Sequence, residues 1–252
     1  MKIVIIGSGN VAYHLAKAFT QGGIPVAQIF GRNEKDLKVI SNELQIPFST
    51  SEIADADFYI IAVKDDSIAD VSKLITKTNC LVAHTSGSLE KEKLNGNYRK
   101  ACFYPLQTFS KTKDLVYSEI PFFLEAENEA DFNLMNSIAQ KISKKVLNSN
   151  FEQRKYIHLT AVFACNFTNH LFAKAKEISD SQEIPFEYFL PLIKETVDKI
   201  YKIEPKLAQT GPAFRGDEKI IESHEKLIKD KDAKAIYKTM NISIKDMYKN
   251  EL

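Results

Sequence analysis

Hydrophobic and polar positions follow two different rhythms along the chain. In the first half, short unbroken apolar runs alternate with stretches of helical spacing. Lys2–Ile6, Val26–Phe30, Phe58–Val63, Leu81–Ala83, Ala101–Tyr104 and Pro121–Leu124 read as strands. Val11–Thr20, Glu34–Leu44 and Ser67–Thr76 read as helices between them. Continuous apolar strands separated by helices imply a parallel sheet covered on both faces, the doubly wound α/β architecture.

The rhythm changes near residue 149. Ser149-Asn150-Phe151-Glu152 fits a capping box, with the serine as the cap and the glutamate returning the bond. A long helical pattern then runs to about Ser179, and further helices cover Phe186–Lys202, Glu218–Lys229 and Ala233–Lys249. This predicts an α/β domain over 1–149 and an all-helical C-terminal domain over 150–252. About 100 residues of amphipathic helix cannot bury all their apolar faces alone, so the helical half is also expected to form a homodimer.

Composition narrows the function classes. The chain has 252 residues, 44% of them hydrophobic and 27% charged, as in a soluble globular protein. Lys+Arg is 34 against Asp+Glu 33, which offers no global field for nucleic acid or an anionic membrane. Lys226, Lys229, Lys231, Lys234 and Lys238 are interleaved with Asp230 and Asp232 and read as a solvated face. No apolar run approaches the ~20 residues of a membrane span, and the start of the chain lacks the longer apolar region of a signal peptide. Cys80, Cys102 and Cys165 form no CxxC pair, so no disulfide framework or metal site is expected. Three buried, reduced thiols in a cytoplasmic protein are expected instead.

Gly7-Ser8-Gly9-Asn10-Val11-Ala12 lies between the first strand and the first helix, in the form GxGxxA. Gly7 permits the tight turn, Gly9 lets a pyrophosphate approach the backbone, and Ala12 lets helix and strand pack closely. Free N–H groups at the helix start then face the anion. The second strand ends in Phe30-Gly31-Arg32-Asn33, where an acidic residue would hold ribose hydroxyls. Arg32 and Asn33 can instead donate to a 2′-phosphate, which favours NADP over NAD and disfavours a methyltransferase. Glu34, next to them, is the opposing charge. Tyr13 and Lys17 have YxxxK spacing but follow the phosphate loop directly and read as ordinary helix residues.

Ligands of an open parallel sheet lie beyond the carboxyl ends of its strands. Three loops qualify. Val63 and Lys64 would border the cofactor, with Asp66 capping the next helix. His84-Thr85-Ser86-Gly87-Ser88 brings hydroxyls and an imidazole to a strand end. Tyr104-Pro105-Leu106-Gln107-Thr108-Phe109 adds a phenol and an amide. On the long helix, His158, Asn166, Asn169 and His170 fall within an arc of about 120°. That stripe is either a polar seam between helices or the wall of a substrate cleft between the domains. In the second case His158 is the first acid/base candidate, followed by His84 and Tyr104, with Asn166 beside them. In Thr210–Asp217, Arg215 either binds an anion or pairs with Asp217 to shape the loop, and Asp217 can cap the helix that follows. The Arg-Gly-Asp tripeptide there is not read as an integrin motif.

GSGNVA at Gly7–Ala12, HTSGSL at His84–Leu89, PLQTF at Pro105–Phe109, TGPAFRGD at Thr210–Asp217 and the His158…Asn166 helix together resemble one family. It joins a Rossmann-like NADP-binding domain to a helical domain labelled DUF2520, and the resemblance covers nearly the whole chain. It implies an NADP-dependent oxidoreductase, related to F420-dependent NADP reductases and pyrroline-carboxylate reductases, acting on a small-molecule substrate. The family pattern carries His before PLQTF, where this chain has Tyr104. The lysine that hydroxyacid dehydrogenases place a few residues before the asparagine is absent, since Lys155 lies eleven residues before Asn166. A non-catalytic NADP-binding protein that signals to a partner is the alternative reading.

Overall fold

A computed structural model describes residues 1–249; the last three positions of the predicted helical half lie outside the described residues. The chain divides into two compact units, Met1–Cys165 and Asn166–Leu252. The division falls inside the helical run, sixteen residues after the change of rhythm at 149.

The first unit is built on an eight-stranded sheet. Its elements are β1 (Ile3–Ile6), α1 (Asn10–Gln21), β2 (Val26–Phe30), α2 (Glu34–Leu44), β3 (Phe48–Ser49), β4 (Phe58–Ile61), α3 (Asp65–Ser72), β5 (Leu81–His84), β6 (Arg99–Pro105), β7 (Phe122–Ala126), α4 (Glu129–Ala139), β8 (Val146–Asn148) and α5 (Phe151–Ala161). The strand order is β3-β2-β1-β4-β5-β6-β7-β8, so the winding reverses between β1 and β4. Alternate residues of one strand feed two cores. Ile3 and Ile5 pack with α1, α2 and α4, whereas Val4 and Ile6 pack with α3 on the other face. Continuous apolar strands are what this double burial requires.

Three details differ from the expectations. β3 and β8 are edge strands of two and three residues, too short to show a period. β7 runs antiparallel to β6, because the return between them is a loop with a single 3-10 turn (Tyr117–Glu119) in place of a crossover helix. The capping box sits at Asn150 and Gln153, one residue later than predicted. Ser149 is still committed to the sheet, since its N–H donates to the Leu124 carbonyl.

A π-helical turn, Val162–Phe167, continues α5. The second unit comprises α6 (Thr168–Asp180), α7 (Leu190–Ile200), α8 (Pro212–Arg215), α9 (Glu218–Leu227) and α10 (Lys231–Tyr248). Tyr248 ties its C-terminal helix back, with its ring edge-on to Phe214 at 5.1 Å and its hydroxyl donating to the Lys206 carbonyl. Among the described residues no helix is long and apolar enough to cross a membrane, and no group of three or more potential metal ligands occurs.

Candidate active site

The phosphate loop has the geometry its glycines suggested. Gly7 adopts φ +137°, and a Cβ there would stand 2.1 Å from the Ala62 carbonyl oxygen, so no other residue fits. Ala12 is fully buried against the same turn. Gly9 is the N-cap of α1 and has no side-chain cap, and a Cβ on it would meet nothing within 4 Å. The first N–H groups of α1 therefore face an open cradle, which fits a dinucleotide pyrophosphate. Ser8 is half-buried and Val11 packs against the main core. The Asn10 amide donates to the Phe109 carbonyl at 2.9 Å, so it holds a neighbouring loop.

At the end of β2, Arg32 is exposed and forms no hydrogen bond or ion pair among the described residues. Asn33 is not the open donor that the sequence suggested. Its Oδ1 caps α2 by accepting from the Asp36 N–H at 3.2 Å, and its Nδ2 donates to the Asp36 carboxylate at 2.9 Å. Glu34 pairs with Lys38 at 2.8 Å, away from Arg32. Tyr13 and Lys17 are bound into a network with Glu43 and Asp114, and the Tyr13 ring is buried in the main core.

Beyond the later strands, three elements converge within the first unit. The Tyr104 hydroxyl, at the end of β6, lies 3.1 Å from Nδ1 of His158 on α5. Gly87 makes this approach possible. A Cβ at that position would fall 2.7 Å from Tyr104 Cζ and 3.0 Å from His158 Cβ. Burial pushes the Tyr104 phenol up to about 12, so it keeps its proton at neutral pH. Its hydroxyl can donate to Nδ1 when that nitrogen is bare, or accept from it when it carries a proton.

Ser86 organises the loop beneath this pair. Its hydroxyl donates to Asp65 at 2.8 Å and accepts from the Ser88 N–H, and its own N–H donates to His84 Nδ1 at 3.1 Å. His84 is fully buried, and its Nε2 has no partner. Desolvation, with the nearby Arg154 charge, lowers its pKa to about 4, so it is neutral at physiological pH. Asp66 does not cap α3; the helix begins at Asp65 with no side-chain cap, and exposed Lys64 stands in the cap position beside half-buried Val63.

Arg154 was not anticipated. It lies one helical turn before His158 and is completely buried. It pairs with Glu125 of β7 and donates to the Leu89 carbonyl at 2.6 Å, while its Nε has no partner. Glu125 also meets Lys91 at 3.2 Å. The i, i+4 spacing to His158 was a visible signal, because a cation on the same inward face as His158 needs a carboxylate partner.

Asn166, Asn169 and His170 are exposed and belong to the π-helical turn and α6. In the second unit, Arg215 pairs with Asp217 at 2.9 Å, the loop-shaping alternative. Asp217 precedes α9 but makes no side-chain cap. Cys80 and Cys102 are buried, but Cys165 is exposed, contrary to expectation, because no residue of the π-helical turn that carries it is buried.

Two families match the chain. NADP oxidoreductase coenzyme F420-dependent covers residues 2–86, and the domain of unknown function DUF2520 covers residues 120–244. A Bacteroides fragilis protein described as a candidate NADP oxidoreductase is 38% identical, with 97% of this chain and 98% of that one covered and a TM-score of 0.92. This chain belongs to the DUF2520 family. A Thermotoga maritima protein shares the fold at 22% identity, covering 99% of both chains with a TM-score of 0.75. A pyrroline-5-carboxylate reductase from Coxiella burnetii does so at 16% identity, covering 96% and 97% with a TM-score of 0.58. No protein of curated function matches. The DUF2520 match spans β7, Arg154 and His158, so the chemical pair joins a strand end of the sheet to the helix of the second family segment.

Proposed function

We propose that this DUF2520 protein is an NADP-dependent oxidoreductase acting on a small polar substrate. The observation that carries the reading is the Tyr104–His158 contact at the carboxyl end of β6, made possible by Gly87. When bound, NADP(H) supplies or accepts a hydride. The first turn of α1 would hold the pyrophosphate, and Arg32 would meet the 2′-phosphate. Tyr104 would orient His158 through Nδ1, and the protonated imidazolium would give its Nε2 proton to the substrate oxygen or nitrogen as the substrate carbon gains the hydride, leaving a neutral imidazole. Ser86 and neutral His84 position the loop that carries Gly87. The exposed apolar side chains of the helical part support a homodimer, and the unpaired cysteines support a cytoplasmic protein.

NADPH consumption with carbonyl, imine and deazaflavin acceptors tests the reading. Turnover with one class is expected. Tyr104→Phe should lower it about ten- to a hundredfold and His158→Ala about 10²–10⁴-fold. Gly87→Ala, which forces the pair apart, should lose activity while NADPH affinity stays unchanged. Tight NADPH binding with no turnover of any acceptor would support the non-catalytic alternative instead.

A further inference from the structure

We propose that Lys111, on the loop between β6 and β7, is a second ligand of the cofactor's 2′-phosphate and a determinant of NADP preference. The inference rests on the NADP reading above. A dinucleotide bound by a doubly wound sheet runs from the start of α1, which takes the pyrophosphate, to the end of β2, which takes the adenosine ribose. The β6–β7 loop crosses this path. Two consecutive carbonyls pin it to α1: Phe109 accepts from Asn10 at 2.9 Å, and Ser110 lies 2.8 Å from Nε2 of buried His14. The His14 ring also packs against Phe109 with centroids 5.2 Å apart. The next residue is Lys111, whose ammonium reaches the first turn of α2 and stands 3.6 Å from Asp36.

Lys111 is thus carried from the pyrophosphate end to the ribose end of the cradle by a loop held in place just before it. Its side chain is only 27% exposed, so its position is more defined than that of a free surface lysine. The charges around it suit a phosphate. Glu34 and Asp36 in the first turn of α2 would repel a dianion, but Lys38 pairs with the first and Lys111 with the second. Arg32, Lys35, Lys38 and Lys111 against these two carboxylates leave a local net charge of +2. At 3.6 Å the Lys111–Asp36 pair is loose, and a phosphate oxygen offers the ammonium a closer, charge-assisted partner. Asn33, committed to Asp36, contributes less than its position in the sequence suggested.

Calorimetry with 2′,5′-ADP and 5′-ADP as probes, and with NADP and NAD, tests the assignment on the full chain. The wild type is expected to prefer 2′,5′-ADP by tenfold or more. Lys111→Ala should weaken 2′,5′-ADP and NADP roughly tenfold while 5′-ADP and NAD change less than about twofold. Lys111→Arg should retain most of the preference, and Asp36→Asn should raise it. A full preference surviving in Lys111→Ala would overturn this inference and leave the NADP reading intact. Equal weakening of both probes would also overturn it, since Lys111 would then act on the loop as a whole. No preference in the wild type would overturn both.

Discussion

In the first unit, Ile3, Ile5, Phe58, Leu81 and Phe103 have no exposed surface. In the second, Ala213, Ile221, Ala233 and Tyr248 are the buried apolar side chains among the described residues. Tyr188, Leu192, Tyr201 and Leu207 are each at least 65% exposed there. The difference lies in how the two kinds of element close. A doubly wound sheet presents apolar residues on both faces, and its own helices cover them. Amphipathic helices present one stripe each, and among the described residues those of the second unit leave large apolar side chains exposed. The first unit is self-sufficient in burying its apolar residues and the second leaves many exposed, so the two should respond differently to substitution.

The largest effect is expected in the self-sufficient unit. Arg154→Ala leaves Glu125 buried without its main partner and should cost about 3–5 kcal/mol in urea unfolding, at every protein concentration. A loss below about 1 kcal/mol would mean that Lys91 alone satisfies Glu125.

His84 provides a second test of the same core through pH. Its pKa is about 4 in the folded chain against an ordinary 6.5, so between these values the unfolded state binds more protons. Stability is complete above pH 6.5 and falls toward pH 4, by on the order of 3 kcal/mol from this group. Subtracting the profile of His84→Gln from that of the wild type isolates the slope. Identical profiles would show that the imidazole is hydrated in solution.

The smallest effect belongs to the helical region, and its concentration dependence is what matters. Leu192→Ser removes an exposed side chain. If one chain stands alone, stability changes by no more than about 0.5 kcal/mol. If a second copy covers it, the dimer weakens by about 1.5–3 kcal/mol, which light scattering against dilution would detect. A mass of 28.6 kDa for the wild type at micromolar concentration would remove the dimer proposal.

Much of the first unit was legible in advance because its signals are local. Gly7 must be glycine for a reason within a few residues, and the strand-to-helix turn showed it. α2 was read at Glu34–Leu44, the span it occupies, because its apolar spacing lies within the segment. The pair Tyr104 and His158 was legible as two candidates but not as a contact. They are 54 residues apart, and only the sheet register and the missing Cβ of Gly87 bring them together. Asn33 shows the converse. Its residue type suited both a phosphate donor and a helix cap, and the Asp36 N–H three residues on decided for the cap.

The sequence by itself determined the α/β rhythm, the phosphate loop and the chemistry available at each strand end. Those follow from backbone conformation and side-chain period, which neighbouring residues control. The tertiary structure alone decided which polar groups lost their water. It buried His84 and made it a neutral acceptor. It enclosed Arg154 with Glu125, and it left Asn166 and Cys165 at the surface of a π-helical turn. Desolvation depends on everything packed around a group, and most of those neighbours are distant in the chain.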